Sequence, residues 1–250
     1  MLAAGDLDPS YTALSGGTLN DDELGWFLLS FLAFYNFGLS CSIVDSLAGW
    51  YGIYDGLKAK RGSYRRHFRS DKALTALDSW RRRWVDGEAF LKDLRRFSGR
   101  PYREVYDWAK TLGQVGDYFA WKLGDWVEVA GGAPVDFAGC LKLANSEPQE
   151  GLLLIGPDLT KTAEWLMTCS KGEVIPYGRP LMTQEVETMG CIFNSINKKG
   201  VVPGEDTAHY YQDCLNHPGP TASALLRCLL DRSPLSEESI QTIAAAKGFK

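Results

Sequence analysis

The stretch from Tyr102 to Val129 constrains the fold most, because it dictates two helices and the corner between them. Tyr102, Val105, Tyr106, Ala109 and Leu112 recur at the spacing of one helical face, behind Pro101 at its tolerated first position. Then "LGQVGDYFA", Leu112 to Ala120, sets two glycines three residues apart, and an apolar helix is expected from Asp117 to about Val129. Gly113, Gln114 and Gly116 thus form a tight turn. Such a turn leaves backbone N–H groups open at the start of the second helix, where the helix dipole also favours an anion. A Cβ would obstruct a close phosphate, or the positive φ of the turn. The turn reads either as a phosphate clamp, which positions DNA without reading its sequence, or as a plain helix–helix corner.

Helical patterning continues nearly throughout. Asn20 with Glu23 forms a capping box before the apolar run Leu24 to Tyr35. Gly38 is expected to end that helix and Ser40 to cap the next, which Gly49, Gly52 and Gly56 weaken. Further helices are expected over Lys72–Val85, Glu88–Phe97 and, capped by Asp136, Phe137–Ala144. "GLLLIGP" reads as a buried loop. Asp158 or Thr160, Thr183 and Asp206 are expected to cap helices running to Cys169, Asn197 and Asn216, and two more close the chain near 220–231 and 237–247. The expected class is all-α: one two-lobed helical domain over 1–250, with basic helices and hairpin at 58–145 and a second functional segment at 183–217.

Charge is unevenly spread. Residues 1–57 contain no Lys or Arg, whereas residues 58–110 hold sixteen of the 27, against seven acids. A basic segment of this density suits a polyanion such as DNA, with Arg65, Arg66, Arg81 and Arg82 as candidate phosphate contacts, or is a solvated face. The six cysteines have no short spacing, so neither a zinc ribbon nor a cysteine-held iron–sulfur cluster is expected. They read as reduced thiols of a cytoplasmic protein, in the host cytoplasm if the source is viral. No apolar run is long enough to span a membrane.

The hairpin resembles that of helix-hairpin-helix DNA glycosylases, L-x-G-[VI]-G followed by a helix with a small residue at its fourth position. Here it is one residue looser: Leu112, Gly113, Gln114, Val115 and Gly116, then Ala120. In that superfamily a Val-Asp follows the second glycine by about twenty residues, and Val135–Asp136 stands there. The resemblance covers about 70–145. Tyr118 occupies the place of the lysine that forms a Schiff base in bifunctional glycosylases, so lyase chemistry is not implied. "TQEVETMGCIFNSINKKGVVPGEDTAHYYQDCL" resembles the alpha-glutamyl/putrescinyl thymine pyrophosphorylase family, a phage branch of the same superfamily whose members are amino acid:DNA transferases. The matching elements are Glu187 and Cys191, Lys198–Lys199–Gly200, and Gly204-x-Asp206-Thr207.

That resemblance implies exchange of a pyrophosphate on the 5-methylene of a modified thymine in duplex DNA for an amine, such as that of an amino acid like glycine. The base must leave the stack. The leaving pyrophosphate needs cations, from Lys, Arg or a divalent metal such as magnesium, and a carboxylate must take the proton of the amine. No organic cofactor is implied. Asp136 is the first candidate for that carboxylate, its alternative being a plain helix cap. Lys122 and Asp125, three apart on the hairpin helix, are either catalytic or a surface ion pair. Glu187 either faces the pocket or is solvated. Lys198 and Lys199 either hold pyrophosphate or complement a helix end. Cys191 reads as a buried thiol and His209 as part of a cap. A monofunctional glycosylase and a non-catalytic DNA-binding protein are the alternative functions.

Overall fold

The computed structural model describes residues 8–46, 70–169 and 179–249. Among these residues the chain is all-helical, and its one β pairing is an isolated bridge between Pro101 and Asp136. The helices are α1 (Pro9–Leu14), α2 (Asp21–Phe34), α3 (Phe37–Asp45), α4 (Ser70–Arg83), α5 (Gly87–Arg95), α6 (Tyr102–Lys110), α7 (Asp117–Val129), α8 (Ser146–Ile155), α9 (Leu159–Cys169), α10 (Thr183–Lys199), α11 (Glu205–Asn216), α12 (Pro220–Arg232) and α13 (Glu237–Lys247). A short 3-10 turn covers Leu141–Leu143. No described helix is long and apolar enough to cross a membrane.

Helix α2 is the central rod. The expected capping box is present: Asn20 accepts from the Glu23 N–H and the Glu23 carboxylate accepts from the Asn20 N–H, both at 3.0 Å. Every residue from Gly25 to Ala33 is buried, as an all-round apolar helix requires. Helices α3, α4 and α5 pack around it, and α11 and α12 pack on α3. The core is aromatic, with Trp80, Trp121, Trp126, Tyr102, Phe27, Phe31 and Phe37 fully buried. Each such ring contributes on the order of 2–3 kcal/mol by leaving water.

Gly38 and Ser40 do not act as expected. Helix α2 ends on Tyr35, whose backbone is left-handed (φ 48°), and Asn36 caps α3 by accepting from the Leu39 N–H at 2.7 Å. Gly38 lies inside α3 because the α11 backbone presses on it: a Cβ there would stand 1.9 Å from the Asp213 carbonyl oxygen. Gly49, Gly52 and Gly56 fall outside the described residues.

Three further expectations are corrected. "GLLLIGP" supplies the end of helix α8, not a loop; Asn145 caps that helix and Pro148 sits in its first turn, where a missing N–H is harmless. Helix α8 packs closely along α10, with a Cβ at Gly151 falling 1.9 Å from the Gly190 carbonyl oxygen. No α-helix forms over Phe137–Ala144; the Asp136 carboxylate instead accepts from the Ala138 N–H at 2.9 Å in a local turn. Thr183 and Asp206 lie in the first turns of their helices, whose N-cap positions are held by Met182 and by Gly204 with φ 87°.

Candidate active site

The turn between α6 and α7 has the geometry its sequence demands. Leu112 and Val115 are buried, while Gly113, Gln114 and Gly116 face solvent. Gly113 and Gln114 are left-handed, at φ 66° and 60°. Gly116 is the N-cap of α7 and offers no side chain to its first N–H groups. A Cβ at Gly116 would meet nothing within 4 Å, so no internal contact demands glycine there. Trp80 Nε1 donates to the Leu112 carbonyl at 3.1 Å, which brings the basic end of α4 beside the turn. There Arg82 is exposed and paired with Asp78, and Arg81 is half-buried. Arg65 and Arg66 lie outside the described residues.

Helix α7 then points one face inward. Tyr118, Lys122 and Asp125 fall at i, i+4 and i+7, so they share that face. The expected surface ion pair of Lys122 and Asp125 is not at the surface: their side chains are 4 % and 2 % exposed. Lys122 Nζ donates to Asp8 and lies 3.4 Å from Asp125. Asp8 caps α1 from a strained backbone (φ 29°), accepting from the Ser10 N–H at 3.1 Å and the Ser10 hydroxyl at 2.5 Å. The Tyr210 hydroxyl donates to the same carboxylate at 3.4 Å.

Two carboxylates around one buried ammonium cannot both ionise cheaply. Burial drives the Asp125 carboxyl well above the ordinary carboxylate range, Lys122 pulling it back and Glu187 pushing it further up. Burial also opposes ionisation of Asp8, but Lys122 and Ser10 outweigh it and hold that carboxylate below its ordinary range. Burial works against the Lys122 ammonium too, and Asp8 and Asp125 overcome it, so the net shift is upward. Lys122 thus sits between two carboxylates that favour its charged form.

This triad borders a pocket. Tyr118 and Lys122 of α7, Asp8 and Pro9 of α1, Tyr35 at the end of α2, Glu187, Thr188 and Cys191 of α10, and Asp206 and Tyr210 of α11 line it. The concavity is narrow, with about 10 Å³ open to the centre of a water-sized molecule, and it opens to solvent. The Tyr118 hydroxyl donates to that of Tyr35 at 2.5 Å, and the Tyr210 ring stacks on Phe37 at 4.9 Å. Helix α10 is clamped to the end of α7 by Arg179, which reaches Glu185 at 2.8 Å and donates from Nε to Glu128 at 2.7 Å. That clamp grips Glu185, two residues before Glu187 on the same helix.

The other expected site residues lie elsewhere. Asp136 is exposed and is not among the pocket residues. Lys198 and Lys199 are half-exposed and tie α10 to α8 through Glu150 and, at 2.8 Å, Glu147. His209 stands 3.9 Å from Glu205. Cys191 is buried in the pocket wall, and none of the six cysteines forms a disulfide. Among the described residues, no three His, Cys, Asp or Glu side chains gather as a metal site. Sequence reasoning missed Asp8, Tyr35 and Tyr210. Only Asp8 carried a signal, as an acid before Pro9 with Ser10 two residues on.

No family model matches the chain. It is 28 % identical over 166 residues to the putrescinyltransferase of Delftia phage PhiW-14, an alignment covering 62 % of this chain and 51 % of that one. The chain thus spans about half the length of this relative.

Proposed function

We propose that the chain is a transferase that joins an amine to a thymine-derived base of DNA, displacing pyrophosphate from the 5-methylene of that base, on a fold of helix-hairpin-helix DNA glycosylase type. One observation carries this reading. The two segments that resemble one superfamily are separated in sequence, yet Tyr118 and Lys122 from the first and Glu187, Cys191 and Asp206 from the second line one pocket. The name of the phage relative supports an amine as the transferred group.

In the proposed reaction the hairpin N–H groups and the basic end of α4 hold DNA phosphates while the base leaves the stack. The amine lone pair forms a C–N bond to the methylene. The C–O bond to pyrophosphate breaks, and its electron pair stays on the pyrophosphate oxygen. The nitrogen proton passes to a pocket carboxylate, Glu187 or Asp206. Lys122, locked as an ammonium, supplies fixed positive charge near the developing anion. Mass spectrometry of digested DNA tests the reading, using DNA with pyrophosphorylated hydroxymethyluracil and pooled amines and amino acids. A transferase leaves a heavier nucleoside. Release of a free base would make the chain a glycosylase, and unchanged DNA would overturn catalysis altogether.

A further inference from the structure

Helix α13 reaches back to the corner between α10 and α11. It packs on α11, and Ala208, Tyr211, Ile240 and Ala244 form a small apolar core between the two. The Tyr211 hydroxyl donates to Glu237 at 2.9 Å and accepts from the Gln241 amide at 2.8 Å. These contacts hold α13 in place. Lys247, at its far end, does something different. Its ammonium lies 2.7 Å from the Glu205 carboxylate and donates to the Gly200 carbonyl at 3.1 Å. Gly200 is the C-cap of α10, with φ 62°, and Glu205 is the first residue of α11. Glu205 also closes the corner from within, accepting from the Val202 N–H at 3.1 Å. Two residues beyond Lys247, Phe249 sets its ring against His209, with 3.7 Å between centroids.

The corner joins the two helices that build one side of the pocket. Glu187, Thr188 and Cys191 come from α10, and Asp206 and Tyr210 from α11. Asp206 directly follows Glu205, so the seat of Glu205 sets where the first turn of α11 meets the pocket wall. The Lys247 side chain is 27 % exposed, and an ion pair so open to water adds little to global stability. What it adds is geometry: one ammonium takes a carbonyl and a carboxylate from the two ends of the corner and fixes their separation. We propose that Lys247 is a positioning residue, which sets Asp206 and Tyr210 against the α10 side of the pocket from outside the pocket itself. The proposal rests on the transferase reading for its catalytic consequence, whereas the hold on the corner is measurable without DNA.

Lys247→Met and Lys247→Arg in the full chain are the test, read by hydrogen exchange, melting temperature and steady-state transfer to DNA. In Lys247→Met the amides of residues 200–206 should exchange faster at an unchanged melting temperature. Turnover should fall roughly 10-fold, short of the roughly 10²-fold that a misplacement of about 1 Å can cost, while KM and DNA affinity hold. The arginine fork can reach the same two oxygens, so Lys247→Arg should restore both protection and turnover. Unchanged exchange in Lys247→Met overturns the hold on the corner. Faster exchange with unchanged turnover overturns the positioning role. So does a loss of turnover that follows a fall in melting temperature, or one that Lys247→Arg fails to recover. The unaltered chain separates the two readings. If it transfers nothing to DNA, the transferase falls and the catalytic consequence with it, while exchange still decides whether Lys247 holds the corner.

Discussion

Replacing Lys122 with methionine is the sharpest probe of the buried triad. The substitution keeps the length and apolar stem of the side chain and removes only the ammonium. Asp8, whose side chain is 5 % exposed, is left as a buried carboxylate without its counter-ion. Breaking a buried pair in this way costs about 3–5 kcal/mol. Asp8 keeps the Ser10 N–H at 3.1 Å, the Ser10 hydroxyl at 2.5 Å and a long contact to Tyr210, so the lower end of that range, about 3 kcal/mol, is expected. In the unaltered chain Asp8 titrates below its unfolded value, so its contribution is present above that value and is lost as pH falls. In Lys122→Met the Asp8 carboxyl is raised instead, and the variant loses stability as pH rises. The difference between the two proteins must therefore shrink on acidification. Urea unfolding across pH, with Asp8→Asn and the double variant, measures this and gives the coupling between the two residues. The double variant should recover most of the loss, because no unpaired charge remains. A loss below about 1 kcal/mol that does not depend on pH would refute the triad.

Gly116→Val should fold normally, since a Cβ there meets nothing, and should bind DNA more weakly; normal binding by the folded variant would leave the hairpin a plain corner. Charge reversal of Arg81 and Arg82 to Glu should weaken DNA binding for every sequence and flatten the log–log salt slope by about 0.9 for each lost phosphate contact, as read by anisotropy titration. Glu187→Gln should reduce turnover by roughly 10² or more, whereas Asp136→Asn, at an exposed turn outside the pocket, should leave it near its starting value. Steady-state kinetics on the two decides between the centres, and the opposite pattern would restore Asp136 as the reacting carboxylate.

The helices were legible where caps and stripes agreed, as in the Asn20–Glu23 box and in α7, whose bounds match the sequence reading. Helix α8 was misread because Leu152, Leu153 and Leu154 run together, which hides any periodicity, and because Gly151 suggested a break when it serves a backbone crossing with α10. Lys122, Asp125 and Glu187 were legible as chemistry but not as burial, because a lone ion pair on a helix looks the same whether it faces water or the core. Asp136 was drawn into the site by its spacing alone, yet the helix it was to cap never forms. Tyr35 and Tyr210 carried no local signal at all: their roles come from Phe37 packing and from a left-handed backbone at a helix end.

The pocket also has a birth order. Asp8 belongs to the first described residues, Lys122 lies 114 positions later and Tyr210 lies 202 positions later. During synthesis, at about 5–20 residues per second, Asp8 leaves the ribosome several seconds before Lys122 and longer still before Tyr210. Until then the Asp8 carboxylate has no reason to be buried, and α1 has no surface to dock on. The wall of the pocket is thus among the last contacts the nascent chain can make, and a chain interrupted before α11 carries hairpin and basic helices without a finished site.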